Sequence, residues 1–374
     1  MSIRNLQFCE CVASVIFALA PAALLAQDQP LGIFEGHQDV GTVLHAGSAQ
    51  FDNSHGSYTI AGSGENMWFG VDDFHFVWKK VSGDVALTAD IAFLGNGGNP
   101  HRKAVLMIRQ TLDGNSASVD MAVHGSGLTS LQYRNPAGSD THEVESNISG
   151  PKTVRIEKRG DTIYAFVSGK DGKVLPAGAA TKLAFTDSFY IGIGVCAHDK
   201  DKTEKAIFSN VKLEELAPAK GKQILVSAVE TISIASTDRH VEYVAAGRLE
   251  APNWSCDGSY IEFKENGTLH RLTPGVSTGP TIAVAPLHPC EPGPGISPDG
   301  QWQVFLANDK GVTPETTIKD VELRLMSLKE KKARLLAKVL GAQDTANLPS
   351  WSPDSQRLVF VSYELLPEES MSAK

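Results

Sequence analysis

Apolar and polar residues alternate along much of the chain, in short runs that turn-forming residues separate. In the segment 84–93 the apolar side chains fall on every second residue, and the segment 118–124 repeats this pattern. A period of two residues is that of a β-strand with one buried face. No run of residues shows a long 3.6-residue period, which an amphipathic helix would need. The pattern therefore predicts an all-β chain.

The predicted strands of the first half are short and regularly spaced. Segments 154–159 and 162–167 flank a Gly-Asp pair and predict a hairpin, and later strands are predicted at 189–195 and 205–211. Glycine-rich turns such as 95–98 separate the strands. Many short strands with such turns are typical of a β-sandwich or jelly roll.

A second pattern, a repeated phrase, occupies the C-terminal part of the chain at 254–263, 296–305 and 351–360. Each copy has serine and aspartate before a turn, followed by an alternating run. We interpret the aspartates as turn residues, because aspartate bonds nearby backbone and stabilises turns; they are Asp257, Asp299 and Asp354. Asn-Gly at 266–267 lies between two such runs and predicts a hairpin. Each copy therefore predicts a small antiparallel unit.

The repeated phrase, with its Trp-Ser-Pro-Asp-Gly consensus, resembles the WD-like repeats of TolB-type β-propellers over residues 217–367. Cys256 replaces the proline and Ser355 replaces the turn glycine. Propeller blades of about 40–45 residues leave room here for about three to four, whereas propellers close with about four to eight. We hypothesise an internal deletion near 289–294 and an abbreviated propeller. A closed ring, with the first and last blades paired, would contradict that hypothesis.

Four segments of the first half carry a second resemblance. Residues 73–78, 81–87, 103–109 and 206–211 are similar to core strands of the concanavalin A-like lectin/glucanase superfamily. This resemblance implies a sandwich that often binds glycans and that in some branches hydrolyses them. Fold alone does not determine which of these a protein does.

These patterns divide the chain into four parts. Residues 1–26 are predicted to be a signal peptide, since Arg4 precedes an apolar stretch at 12–25 and Ala26 is suited to be the cleavage residue. An uncleaved N-terminal anchor is the alternative. A concanavalin A-like β-sandwich at 27–216 and a linker at 217–222 follow, and TolB-like repeats occupy 223–374. We expect a periplasmic or secreted protein without a membrane span after signal cleavage.

The charge of the chain narrows the choice of binding partners. The 374 residues carry a formal net charge of −9 without a basic stripe, so nucleic acid is not expected as a partner. A polysaccharide or a cell-envelope protein is the expected partner, with no cofactor and no metal.

Beyond the leader the cysteines are Cys196, Cys256 and Cys290. We favour separate thiols, and a Cys256–Cys290 disulfide is the alternative.

The candidate ligand-binding residues are aromatic or polar side chains of the first half: Trp68, His75, Trp78, Arg109 and Tyr133. Core packing is the alternative for each aromatic residue, because aromatic side chains bury large areas. Arg109 could orient a ligand or pair with Asp90. Glu143 and Glu145 are interpreted as solvated charges at a loop edge, and no paired-acid motif of a glucanase occurs.

Two functions follow from these observations. The first is an exported, noncatalytic binding protein, with a glycan-binding sandwich and a propeller that serves as a protein-binding scaffold. The second is a carbohydrate-active enzyme, like a glycoside hydrolase, whose catalytic acids the sequence does not reveal. Two carboxyl groups close together in a cleft of the sandwich, one with a raised pKa, would favour the enzyme.

Overall fold

A computed structural model describes residues 31–95, 97–219, 221–276, 278–283, 295–307, 318–341, 345 and 350–371. The predicted leader at 1–26, the proposed deletion near 289–294 and Cys290 lie outside these residues. Residues Leu31–Lys374 form one compact unit. Its described part is almost entirely β-structure, as the alternation predicts, with one short helix, α1 (Glu368–Met371).

Two facing sheets build the N-terminal sandwich. The first begins an eleven-stranded sheet, the long sheet, in the order β1 (Gly36–Val40), β6 (Phe74–Val81), β15 (Phe189–Cys196), β8 (Lys103–Arg109), β9 (Ser118–His124), β10 (Thr129–Arg134) and β11 (His142–Glu145). The second, the back sheet, has the order β14 (Val174–Lys182), β13 (Thr162–Ser168), β12 (Thr153–Arg159), β7 (Val85–Leu94), β16 (Glu204–Glu215), β3 (Ser57–Gly62) and β2 (Ser48–Asp52). A hairpin of β4 (Met67–Trp68) and β5 (Val71–Asp72) precedes β6.

Alternating apolar residues fill the space between the two sheets. Val77, Leu106 and Met121 of the long sheet and Leu87 and Ile156 of the back sheet belong to one buried cluster. The hairpin predicted at 154–167 is formed by β12 and β13. Every second residue of each strand points into this core layer, so the remaining side chains of the long sheet face away from the core.

The C-terminal residues add three groups of antiparallel strands. The long sheet continues with β18 (Arg239–Ala246), β17 (Gln223–Ser233), β27 (Arg357–Pro367) and β26 (Ser350–Trp351). A four-stranded sheet contains β19 (Leu249–Trp254), β20 (Ile261–Glu265), β21 (Thr268–Leu272) and β22 (Thr281–Ile282). A three-stranded sheet contains β23 (Trp302–Ala307), β24 (Lys319–Ser327) and β25 (Ala333–Gly341). The Asn-Gly hairpin lies between β20 and β21, as predicted.

Two strand pairings connect distant parts of the chain. Strand β11 pairs in parallel with β18, so the long sheet runs from the sandwich into the C-terminal residues. Strand β17 pairs with β27 from Gln223↔Pro367 to Ser233↔Arg357. The first and last strands of the repeat region therefore pair in one sheet, which counts against a propeller left open between its first and last blades. The propeller arrangement and the four-part division of the chain remain predictions.

The three repeated turns have the same hydrogen-bond pattern. The serine Oγ donates to the aspartate Oδ1 at 2.7 Å in Ser255–Asp257, 2.5 Å in Ser297–Asp299 and 2.6 Å in Ser352–Asp354. The same Oγ accepts from a backbone N–H at the start of the next strand or one residue before it, at 2.9 to 3.0 Å. The phrase recurs because each turn needs both side chains to close it.

The cysteines differ from the favoured expectation. Cys256 is disulfide-bonded, so the preference for separate thiols is wrong at this position. Its partner lies outside the described residues, because the other described cysteine, Cys196, is free and buried. Residue spacing cannot reveal such a pair, since the fold brings its two sulfurs together.

Candidate functional site

The outer face of the long sheet, which points away from the core, combines a buried apolar cluster, which includes Phe76 and Met107, with buried polar side chains. Register places six residues of six adjacent strands in one row across this face: Trp78, Gly192, Met107, Asp120, Gln132 and Glu143. We call the last three the acceptor row. Asp120 is 4% exposed and Gln132 is 1% exposed. Polar groups buried this deeply need partners to offset their lost hydration.

Two oxygens of the acceptor row lack such partners. Asp120 Oδ1 and Gln132 Oε1 are buried and accept no hydrogen bond from the described residues. The amide of Gln132 is fixed, because its Nε2 donates to Ser130 Oγ at 3.1 Å. Burial raises the pKa of Asp120 to about 7, against the opposing effect of Lys103. The row thus contains a carboxyl that gains or loses its proton near neutral pH.

Glu143 completes the row on β11, and its position corrects an expectation. The segment expected to be a solvated loop edge is an interior strand, since β18 pairs with it on the side opposite β10. Glu143 is half-buried as a result. Burial raises the pKa of its carboxyl, while a hydrogen bond with Ser130 lowers it.

A buried ion network lies beside the acceptor row and anchors the β4–β5 hairpin. Asp72 of β5 binds Arg134 of β10 through two hydrogen bonds of 2.6 and 2.9 Å. Arg109 Nη1 lies 3.5 Å from the same carboxylate. The expected alternative partner of Arg109, Asp90, is instead on the back sheet, where it accepts from Thr153.

Lys103 ties the other side of the hairpin to the sheet. Its Nζ donates to the carbonyl of Met67 at 2.8 Å and to Asn66 Oδ1 at 3.2 Å. The same Nζ lies 5.3 Å from the centre of the Trp68 ring, within the range of a cation–π contact. Burial lowers the pKa of this lysine, and the nearby carboxyl groups of Asp120 and Asp72 oppose that shift.

A cavity opens where β11 meets β18, further along the same sheet. It has a volume of about 270 Å³ and is lined by Glu145, His240 and Glu242, by small polar residues, and by the apolar side chains of Leu128 and Val276. Burial alone would lower the pKa of His240, but Glu242, 3.3 Å from Nδ1, and Glu145 raise it. The cavity therefore extends the polar face with a histidine between two carboxylates.

Comparison with known proteins leaves the family open. No family profile matches the chain. An uncharacterized protein of Agrobacterium fabrum is 31% identical over 121 residues, which cover 31% of this chain and 41% of that protein. The chain thus spans about two fifths of the length of this relative.

Several solved structures are similar to parts of this chain, and three of them are described here. A functionally unknown protein from Saccharomyces cerevisiae has a TM-score of 0.36 at 14% identity and covers 46% of this chain and 92% of its own. A seed lectin of Lotus tetragonolobus has a TM-score of 0.29 at 9% identity, with 48% and 99% covered. A protein assigned as TolB from Agrobacterium tumefaciens has a TM-score of 0.18 at 15% identity, with 76% and 99% covered.

The predicted ligand-binding residues divide between two faces of the long sheet. Trp78 and Arg109 point to the outer face, and Trp68 lies above it. Trp78 Nε1 is buried and has no hydrogen-bond partner among the described residues. His75 lies on the other face, where it bonds Asp39 Oδ1 at 2.6 Å. Tyr133 is also on that face and packs against the apolar core.

The residues that sequence reasoning missed are Asp120, Gln132 and Glu143. Alternation in 118–124 and 129–134 places the first two opposite the core-facing residues. Their adjacency depends on the pairing Gln132↔Asp120, which connects different strands.

Among the described residues, no group of three metal-ligating side chains is arranged to hold an ion, and no helix is long and apolar enough to span a membrane.

Proposed function

We propose that this protein binds a saccharide on the outer face of the long sheet, with the acceptor row in contact with its hydroxyl groups. The observation that carries this proposal is the pair of unpartnered oxygens on Asp120 and Gln132. An unsatisfied buried acceptor costs about 1–3 kcal/mol. Because both oxygens are buried, a saccharide reaches them only when the side chains that cover them move, and hydrogen bonds donated to both oxygens would then remove that cost.

The charges around the row favour an uncharged ligand. Lys103 and Arg134 are engaged by carbonyls and by Asp72. Arg109 donates to the carbonyls of Thr111 and Asp113 at 2.8 and 2.5 Å. These cations already have acceptors, whereas Asp120 and Gln132 need donors. A neutral polysaccharide supplies hydroxyl donors, while a polyuronate would bring more carboxylates to a face that contains Asp120 and Glu143.

The test is a calorimetric titration of the full chain with laminarin, hydroxyethylcellulose, mannan and alginate. We expect a neutral polysaccharide to bind and alginate to bind weakly or not at all. Absence of binding to every neutral polysaccharide would refute the proposal.

Two variants locate the site. Gln132→Leu removes an unpartnered oxygen, so we expect it to weaken binding. Loss of the hydrogen bond to Ser130 Oγ should lower the free energy of unfolding by only about 0.5–1.5 kcal/mol, so the variant stays folded. Gln50→Leu is the matched control, since Gln50 is exposed on β2 of the back sheet. Equal affinity of Gln132→Leu and Gln50→Leu would place the ligand elsewhere.

A second candidate function, cleavage of the saccharide, is favoured by two carboxyl groups. Asp120 and Glu143 both have raised pKa values and lie two strands apart, roughly 10 Å between Cα atoms at ordinary strand spacing. A protonated acid and a carboxylate base on opposite sides of a bond are what glycoside hydrolysis requires. Release of reducing ends from the bound polysaccharide, abolished in Asp120→Asn and retained in Asp171→Asn, would establish this activity.

We also propose export of the protein, which rests on the predicted signal peptide at 1–26. Mass spectrometry of the chain recovered from a periplasmic or culture fraction should show Gln27 at its N-terminus. A cytoplasmic chain that retains Met1 would contradict export.

A further inference from the structure

The cavity between β11 and β18 has more acidic than basic side chains in its wall. Glu145 and Glu242 are its two carboxylates, and His240 is the one base among the described residues that line it. Neither lysine nor arginine occurs among those residues. The cavity is therefore negative whether His240 is neutral or protonated, because one imidazolium cannot balance two carboxylates. A negative cavity attracts a positively charged ligand.

The contacts within the wall leave the carboxylate of Glu145 open. Glu242 is satisfied, since it accepts from Thr231 Oγ1 at 3.0 Å and from the Gly275 N–H at 2.8 Å. His240 Nδ1 lies 3.3 Å from Glu242 Oε1, yet it is buried and forms no hydrogen bond with the described residues. Glu145 Oε1 lies 4.0 Å from His240 Nε2, which is too far for a hydrogen bond. A ligand can therefore bind the Glu145 carboxylate without displacing a hydrogen bond.

The cavity suits a small organic cation better than a metal ion. In the part of the chain that the structure describes, no group of three metal-ligating side chains could hold an ion. A primary ammonium group can bind a single carboxylate, and it has three hydrogen-bond donors. The volume of about 270 Å³ lies just below the range of about 300–1,000 Å³ that is usual for ligand pockets, so the cation must be small.

The rest of the wall suits hydroxyl groups on this ligand. Ser126 Oγ and Ser146 Oγ accept from the backbone N–H groups of Leu128 and Ile148, at 3.4 and 3.2 Å. Each serine thus keeps an O–H that can donate to the oxygen of a ligand hydroxyl. The apolar side chains of Leu128 and Val276 also line the cavity and can contact C–H groups.

We propose that this cavity binds a small hydroxylated primary amine, of the size of an amino sugar, with its ammonium group on the Glu145 carboxylate. The hydroxyl groups of the ligand contact Ser126 and Ser146, and its C–H groups contact Leu128 and Val276. This site and its cationic ligand are distinct from the acceptor row and the neutral polysaccharide proposed above. The inference therefore does not rest on that proposal.

The test is a calorimetric titration of the full chain with glucosamine, glucose and ethanolamine. Glucose has the hydroxyl groups without the ammonium, and ethanolamine has the ammonium with a single hydroxyl. We expect glucosamine to bind about tenfold more tightly than either, the scale of a hydrogen bond to a charged group. Its affinity should fall as the salt concentration rises, because the side chain of Glu145 is 34% exposed and its charge is screened.

Two variants locate the amine. Glu145→Gln should lower the affinity for glucosamine about tenfold. It should keep the unfolding midpoint of the wild type, because its carboxylate accepts no hydrogen bond from the described residues. Glu215→Gln is the matched control, since it removes an exposed carboxylate at the end of β16, and it should bind like the wild type.

Three outcomes would overturn the inference. Equal affinity for glucosamine and glucose would remove the ammonium contact, and equal affinity of Glu145→Gln and Glu215→Gln would place the amine elsewhere. Failure of the wild type to bind glucosamine would overturn the inference even in a chain that binds laminarin. Binding of glucosamine by a chain that binds no neutral polysaccharide would support this site and refute the proposed function, so the two failures are distinguishable.

Discussion

The carboxylate of Asp72 accepts hydrogen bonds from both terminal nitrogens of Arg134, at 2.6 and 2.9 Å, although the two residues are far apart in the chain. Their side chains are 3% and 1% exposed. Arg109, whose side chain is fully buried, lies 3.5 Å from the same carboxylate. One acidic residue therefore compensates two buried cations beneath the β4–β5 hairpin.

Replacing this carboxylate should destabilise the protein strongly. Asp72→Asn leaves Arg134 and Arg109 without a counter-charge, and breaking a buried pair from one side costs about 3–5 kcal/mol. Urea unfolding monitored by tryptophan fluorescence measures the loss. Asp171→Asn is the control, because Asp171 is exposed in the turn before β14. A difference below about 1 kcal/mol, the range of surface pairs, would contradict the network's role.

Glu364 of β27 should make folding stability depend on pH. Its two carboxyl oxygens are buried without a partner among the described residues. Burial and the nearby charge of Glu230 raise its pKa from 4.5 to about 8, while Arg239 lowers it. The folded state thus holds the proton more tightly than the unfolded state. The contribution of this carboxyl to the free energy of unfolding is fully present below pH 4.5 and is lost as the pH rises through about 8.

The comparison of two slopes isolates this effect from other titrating groups. The free energy of unfolding should fall more steeply with pH in the wild type than in Glu364→Gln, by about 1.4 kcal/mol for each unit between the folded and unfolded pKa values. Glu215→Gln, at an exposed site, should keep the wild-type slope. Identical slopes in wild type and Glu364→Gln would show that the folded carboxyl is solvated.

The three repeated turns should respond alike to loss of their serine. Ser255→Ala, Ser297→Ala and Ser352→Ala each remove a donor to aspartate and an acceptor for a backbone N–H. Each should lower the free energy of unfolding by about 1–3 kcal/mol, since a buried group is left unsatisfied. Chemical denaturation of the three variants checks this. If only one of the three variants lost stability, the common hydrogen-bond pattern would not have the same energetic role in each turn.

Alkylation should distinguish the two described cysteines. In the unfolded, unreduced chain, iodoacetamide should modify Cys196 and leave Cys256 unmodified, because only Cys196 is free. Reduction before alkylation should expose Cys256 to the reagent. Peptide mass mapping reads both results and identifies the partner of Cys256. Modification of Cys256 without reductant would contradict the disulfide.

The period of two residues was sufficient to predict the all-β class and many individual strands. The segment predicted at 118–124 is β9, and the Asn-Gly pair joins β20 to β21. These predictions succeed because strand and turn preferences act between near neighbours in the chain. The same local chemistry explains why Asp257, Asp299 and Asp354 occupy equivalent turns.

The candidate site was only partly accessible to such reasoning. Trp68, Trp78 and Arg109 were selected and lie on or over the outer face, but His75 and Tyr133 point the other way. Glu143 was assigned to a solvated edge because its neighbour, β18, begins almost a hundred residues later in the sequence. Cross-strand pairing over such separations leaves no periodic signal.

The sequence by itself determined the β-structure, the faces of individual strands and the repeated turns, since these depend on contacts within a few residues. The tertiary structure alone decided that Asp120 and Gln132 lie side by side, that Asp72 serves two arginines, and that β17 pairs with β27. Those relationships arise from sheet register and burial, which bring distant residues together and remove water from their polar groups.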